Sequence, residues 1–443
     1  MKRAHLLLLT VLLLVIAGAL TSCGLFLSSA PEAGSRSARR AEEPVTITYY
    51  DWTDEQAYMT QVLSAFEKKY PTIKVNSFFL PTSDYVQKIL VNLSTGEEMD
   101  VFATQSTSNL AEYISEDVLA PLDDMANSDT LAGNRDAIEQ LRYNGHIYGF
   151  PYRTSKWVLY YNKDLFNKAK IPYPDVTWTW DQYEQAAIKL TGGSGPDKVY
   201  GSINYPSNNT WWRIPATVEG ANNPLEPEHL KLFKKALAFY YRLTYTDRAA
   251  QPFNELVGNA QSDYTTALLT GKGAMMWNGD WEIQMLNEEI EKKGIKLNYG
   301  IAPLPHWKGS QPATTGSFAV VMVNKQSAHM NEAKRLAAFI GSEEAATIIA
   351  GNGLLTPWGT EAVNREYLKK MKLPEHADVF FQPIKVVSQV PMDPLYNQGI
   401  KIVEEETSDY LLQKRDLDKT FEIIQDRIRK EITTTSAEIN RKG

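Results

Sequence analysis

Val45-Thr46-Ile47-Thr48-Tyr49-Tyr50-Asp51-Trp52-Thr53-Asp54-Glu55-Gln56 places a strand pattern directly before a helix start. Val45 to Asp51 alternates in the manner of a half-buried strand. Thr53-Asp54-Glu55-Gln56 then matches a capping box, and Val62, Leu63 and Phe66 continue at helical spacing until Pro71. The alternation recurs downstream. Ile73 to Leu80 reads as a strand, Ser83 to Leu93 as a helix stopped by Gly96, Met99 to Thr104 as a strand, and the stretch through Leu110, Tyr113 and Ile114 as a helix. Units of this length predict an α/β fold with a mostly parallel sheet and helices on both faces. In open sheets of this kind ligands sit beyond the carboxyl ends of the strands. Those ends are Asp51-Trp52, Pro81-Thr82-Ser83 and Thr104-Gln105-Ser106, so Trp52 and Gln105 are expected on one rim, with Thr53 and Ser83 as helix caps.

Beyond Gly149-Phe150-Pro151-Tyr152, a strand from Trp157 to Tyr161 opens a second region. Thr179-Trp180-Asp181-Gln182 is another capping box, which makes Trp180 structural and leaves Trp178 as surface packing. Leu230 to Leu243 reads as an amphipathic helix and Ala274 to Trp277 as a short apolar strand. Phe318 to Val323 is a further strand, followed by helices over Met330 to Ile340 and Ser342 to Ala350 that end at Gly341 and Gly351.

Upstream of this body the chain begins Met1-Lys2-Arg3 and is almost wholly apolar from Leu6 to Leu20, the shape of a secretory signal peptide. The only cysteine follows in Leu20-Thr21-Ser22-Cys23, which resembles the lipobox of bacterial lipoproteins. Residues 1–22 then form the signal, and Cys23 becomes a mature N-terminus carrying palmitate-type diacylglyceryl lipid. Two acyl chains hold a protein at a bilayer stably. An uncleaved helix anchor is the alternative, although the run falls short of the roughly 20 residues a span needs. Residues 23–43, rich in Ser, Ala and Arg, read as the lipidated end and a flexible tether.

The 443 residues suggest two domains or one elaborate one, and 43% hydrophobic with 22% charged residues is the balance of a folded globular body. One cysteine allows neither an internal disulfide nor a Cys-rich zinc site. His146, His229, His306, His329 and His376 show no metal-ligand spacing, and no cofactor is expected. A formal charge of −7, more negative once Lys2 and Arg3 are removed, argues against nucleic acid as a partner.

Several segments in order carry a family resemblance: Thr48 to Trp52, Ala65-Phe66-Glu67-Lys68-Lys69-Tyr70-Pro71, Met99-Asp100-Val101-Phe102, Leu159-Tyr160-Tyr161-Asn162-Lys163-Asp164, Gly273-Ala274-Met275-Met276 and Asn278-Gly279-Asp280-Trp281. From Val45 to about Ile432 the body resembles the extracellular solute-binding proteins of family 1, the sugar-binding type that serves ABC importers. The resemblance implies a two-lobed periplasmic-binding-protein-like fold with discontinuous lobes joined by hinge crossings. Lobe one would be 44–152 plus 321–357, and lobe two 153–320 plus 358–443. The implied role is a monomeric binder on the outer face of the cell membrane. It would capture a sugar or oligosaccharide by hinge closure and deliver it to two permease subunits driven by a cytoplasmic ATPase, or present it to a sensor kinase.

A sugar site combines aromatic rings with a few polar groups at the ligand's edge, and 10 Trp, 23 Tyr and 15 Phe supply the rings. The motif match assigns Trp281 to the ring that stacks on the ligand. Trp211 and Trp212 lie where a second platform is expected, one in the cleft and one packed. Tyr152 and Ser317 sit at two crossings between the lobes, and Trp52 and Gln105 come from the rim. Asp280 departs from the small uncharged residue common at its position. It could accept two sugar hydroxyls or recognise a cationic solute.

No Gly-x-Ser-x-Gly, P-loop or His-Glu-x-x-His motif is present, so no catalytic residue is assigned. A secreted glycoside hydrolase is the rival reading, since its two acids can lie far apart in sequence. Replacing the expected anchor, Cys23→Ser, should release the protein into the medium of expressing cells. Retention in the membrane fraction would favour the helix anchor.

Overall fold

The computed structural model describes residues 44–204, 211–254, 264–371, 374–375 and 377–432. The signal, tether and Cys23 readings lie outside these residues. Eleven strands are described: β1 (Val45–Trp52), β2 (Ile73–Leu80), β3 (Val101–Thr104), β4 (Gly149–Thr154), β5 (Trp157–Asn162), β6 (Tyr200–Ser202), β7 (Gly273–Gly279), β8 (Tyr299–Ala302), β9 (Ala313–Gly316), β10 (Phe318–Val323) and β11 (Lys385–Ser388).

The first sheet has the order β2-β1-β3-β10-β4. The opening stretch behaves as its alternation predicts: β1 pairs in parallel with β2 from Val45 opposite Ile73 to Trp52 opposite Leu80, and also with β3. Parallel order ends there. β10 runs antiparallel to both β3 and β4, because the chain leaves the first body along β4 and re-enters it along β10. The second sheet, β6-β7-β5-β8, departs further from the expected parallel order, with β6 and β7 its only parallel pair. A parallel pair, β9 with β11, completes the described sheets.

Two helix starts also differ from expectation. Thr53–Glu55 forms a 3-10 turn, and the Thr53 hydroxyl donates to the Leu80 carbonyl at the end of the neighbouring strand, 2.9 Å away. That hydroxyl is therefore spent between strands, and α1 (Gln56–Lys69) begins three residues later with no side-chain cap. Ser83 likewise does not cap α2 (Tyr85–Thr95), which starts after Asp84. The Thr179 box forms as read: Gln182 N donates to Thr179 Oγ1 at 3.3 Å and Thr179 N to Gln182 Oε1 at 2.9 Å.

One core lies around the first sheet, built from residues between Ile47 and Tyr152 and between Ala319 and Leu354. The second sheet is buried on both faces, so its strands are largely apolar rather than amphipathic. Trp157, Leu159 and Tyr161 of β5, with Met275 and Trp277 of β7, enter one core. The intervening Val158, Tyr160 and Met276 enter another on the opposite face. The period of two sorts them, since successive strand residues point to opposite sides. Trp358 belongs to this last core, yet its indole donates to the Gly341 carbonyl at 2.8 Å.

The chain passes between the bodies at Thr154-Ser155, at Gly316-Ser317 and near Leu355. Ser155 N donates to Ser317 O at 3.0 Å, and Thr154 N to Leu355 O at 3.0 Å. A Cβ on Gly316 would stand 1.9 Å from the Ser155 carbonyl oxygen, so only glycine permits this approach.

Trp180 is fully buried, edge-on to Trp277 at 5.1 Å and to Tyr183 at 5.8 Å. Trp180→Ala should cost about 3–5 kcal/mol of stability. A urea titration should show an earlier midpoint, and an unchanged midpoint would remove Trp180 from the core.

Candidate functional site

The residues that join the two bodies carry the charged chemistry. β7 ends at Gly279, and the helix Trp281–Lys293 starts at once, so Asp280 and Trp281 sit at a strand-to-helix corner. The Trp281 ring lies over Gly279, where a Cβ would come within 2.0 Å of it, and stands edge-on to Trp157 at 5.5 Å. Trp281 is half-buried, unlike most other tryptophans.

Asp280 is only 4% exposed. Its Oδ1 accepts from Lys156 N at 3.1 Å, and its own N donates to Lys156 O at 3.0 Å, so the corner is tied to the start of β5. Oδ2 is buried with no hydrogen-bond partner among the described residues. Burial pushes the carboxyl up to about 6, against the pull of Arg153 and Lys156. Lys156 is itself lowered by burial, with Asp280 opposing the shift.

Arg153, the penultimate residue of β4, joins this group to the first body. It forms an ion pair with Glu55, which is fully buried and also accepts from the Tyr152 hydroxyl at 3.3 Å. Burial disfavours the guanidinium charge, but Glu55 first and Asp280 second hold its pKa above the usual value. Burial raises Glu55, and Arg153 opposes that rise. Deeper still, Asp51 accepts from the Tyr49 hydroxyl at 2.5 Å, and burial followed by the Glu55 charge keeps its carboxyl well above the ordinary range.

A second set of contacts crosses between the bodies at the start of α3 (Thr107–Ser115). Thr107 Oγ1 donates to Val390 O at 2.6 Å, Ser108 Oγ to Asn397 Oδ1 at 3.0 Å, and Asn397 Nδ2 to Asn109 Oδ1 at 3.0 Å. Asn397 lies in the first turn of the long helix Tyr396–Leu411, whose Tyr396 hydroxyl accepts from buried Arg213 at 3.3 Å.

The sequence candidates distribute unevenly over this arrangement. Asp280 and Trp281 are adjacent to the crossing, and Ser317 is half-buried there, its Oγ 3.2 Å from that of Ser155. Gln105 is exposed just before α3. Tyr152 is 1% exposed and serves Glu55. Trp52 is 2% exposed and packs edge-on to Tyr85 at 5.6 Å, inside the first core rather than open on its rim. Trp211 and Trp212 are both packed, contrary to the expected division. Trp211 lies flat on Trp277 at 4.4 Å and 9°, and Trp212 is edge-on to Phe233 at 6.1 Å. Trp178, expected at the surface, is only 7% exposed.

Sequence reasoning missed Glu55, Arg153, Lys156 and Asn397. Arg153 and Lys156 flank a crossing that was recognised, and that position was the available signal. Nothing local marks Asn397. Among the described residues no group of His, Cys, Asp and Glu could hold a metal ion, and no helix is long and apolar enough to cross a membrane.

Two α/β bodies, joined by several chain crossings with polar and aromatic groups where they meet, define the class of two-lobed binding proteins. The match to known proteins is specific. Residues 51–347 fit the model of the bacterial extracellular solute-binding protein family, and the chain belongs to that family. It is similar to the arabinooligosaccharide-binding protein of Bacillus subtilis, 26% identical over 361 residues, which cover 78% of this chain and 77% of that protein. Among solved structures it is similar to a sugar transporter of Rhizobium etli in an open conformation, with TM-score 0.77, 23% identity, and coverage of 87% of this chain and 99% of that one. An ABC substrate-binding protein of Listeria monocytogenes in complex with cycloalternan gives TM-score 0.74 and 24% identity, covering 88% and 100%. At these identities the structural likeness establishes the fold.

Asp280 gives a pH prediction. Its carboxyl titrates near 6 in the folded chain against 3.8 ordinarily. Its contribution is thus complete below pH about 4 and is lost as pH rises through about 6. Asp280→Asn removes this term, so relative to the native protein the variant should gain up to about 3 kcal/mol between pH 4 and pH 7.5. Urea unfolding at both pH values checks this, and a pH-independent difference would contradict it.

Proposed function

We propose that the protein captures a neutral sugar or oligosaccharide between its lobes, by closure about the crossings, for an ABC permease. The carrying observation is the corner at Asp280-Trp281, where a half-buried indole stands beside a buried carboxylate oxygen with no described partner. An indole offers its face to the C–H face of a pyranose, and a carboxylate accepts hydroxyl protons, the pairing that sugars require. Arg153 and Lys156 beside Asp280 weigh against a cationic solute. The sugar-binding relatives support the same reading.

In this proposal Trp281 is the platform, Asp280 accepts from the ligand, and Gln105 and Ser317 offer polar atoms from the rim and the crossing. Trp52, Tyr152, Trp211 and Trp212 stiffen the walls behind them. The lobes are 44–152 with 321–357, and 153–320 with 358–443. Open and closed arrangements exchange, and a solute touching both lobes favours closure by its differential contacts. Lipid on Cys23 would hold a monomer at the outer face of the membrane, where micromolar affinity, about −8 kcal/mol, suits capture and release.

A thermal-shift screen of arabino- and malto-oligosaccharides, with amino acids and polyamines for contrast, should give stabilisation by a saccharide alone. Trp281→Ala should abolish that shift while leaving the unliganded melting temperature within a few degrees. Stabilisation only by a cationic solute, or an unaltered saccharide shift in the variant, would refute this assignment.

A further inference from the structure

A groove of about 530 Å³ opens on the second body, lined by Lys198, Tyr200, Tyr241, Tyr245, Arg248 and Gln413 among others. It is remote from Trp281. Tyr200 pairs with Gly273 at the start of β7, whereas Trp281 follows the end of that strand at Gly279. Six residues of strand separate the two by about 20 Å. We propose that this groove is a second binding site, for a saccharide bearing carboxylate or phosphate.

Three local features shape the groove, and each departs from regular backbone. The helix Pro227–Tyr241 continues as a π-helical turn over Arg242–Thr246, a rare form concentrated at functional sites. That turn brings Tyr241 and Tyr245 together, ring centroids 4.7 Å apart, and the Tyr245 hydroxyl donates to Leu411 O at 2.6 Å, which locks its ring. Arg248 and Gln413 both adopt left-handed backbone, φ 53° and 59°, a conformation costly for residues with a Cβ and retained mainly where it serves a site.

The lining chemistry points to the ligand class. Tyrosine rings suit sugar faces and their hydroxyls suit sugar edges. Lys198 lies over the Tyr200 ring at 5.2 Å, so a cation is already held against an aromatic face. Arg248 is exposed and makes no ion pair with any described carboxylate. Among the described lining residues there are two cations and no carboxylate, in a chain of net charge −7. A neutral sugar would leave both cations unused; an acidic one engages rings and charges together.

Calorimetric titration of the purified full chain tests this with three probes: a galacturonic acid trimer, glucose 6-phosphate and a neutral galactose trimer. At least one acidic probe should bind, and comparison of the two identifies carboxylate or phosphate as the recognised group. Lys198→Ala combined with Arg248→Ala should weaken it at least tenfold, and added salt should weaken it in the native protein. Trp281→Ala should leave it unchanged, which separates this site from the cleft. Arg248→Gly, which removes the cation and suits left-handed backbone, serves as the second variant should the double substitution misfold. Absence of acidic-probe binding, equal binding of the neutral trimer by Trp281→Ala, survival of binding in the charge variants, or loss of acidic-probe binding in Trp281→Ala would each overturn the proposal.

Discussion

Ser155 and Ser317 hold two passages of the chain side by side between its cores. Ser155 N donates to Ser317 O, Ser317 N donates back to Ser155 Oγ at 3.1 Å, and the two hydroxyl oxygens lie 3.2 Å apart. Gly316 permits that closeness, since its missing side chain is what leaves room for the Ser155 carbonyl. β4 leads into this crossing and β10 out of it, paired antiparallel, and β5 starts two residues beyond Ser155. The hydrogen bonds of Asp280 to Lys156 tie the end of β7 to the same crossing.

Charge is concentrated where the bodies meet, and its burial has consequences. Glu55 and Arg153 are taken from water together, and removal of one partner from such a pair typically costs about 3–5 kcal/mol because the other charge is left uncompensated. Arg153 also feels Asp280 across the crossing. A cation on the connecting strand thus faces one carboxylate in each body.

The elements with strong local patterns were legible in the sequence. β2, β10 and the helix Met330–Ile340 run over the residues read for them in the sequence. The Thr179 capping box forms, because Gln182 is free to reach back. Thr53 does not cap, because the end of β2 claims its hydroxyl, and no local pattern could reveal a partner 27 residues away. The parallel order of β1 to β3 was legible; the antiparallel remainder depends on the chain's return from the second body. At the site, a motif pointed to Asp280 and Trp281, but the aromatic surplus was a poor guide to exposure. Trp52, Trp211 and Trp212 hold cores together, since a large ring buries more apolar area in a core than at a rim. Asn397 was illegible because its role arises from contact with Ser108 and Asn109, nearly three hundred residues away.

Small-angle X-ray scattering, with and without a saccharide that stabilises the protein, tests most directly whether the two bodies close on a solute. A smaller radius of gyration is expected with the saccharide bound, fitted by rotation of two otherwise unchanged bodies about the Ser155–Ser317 crossing. A bound saccharide that leaves the radius unchanged, or that alters the bodies rather than the angle between them, would contradict it.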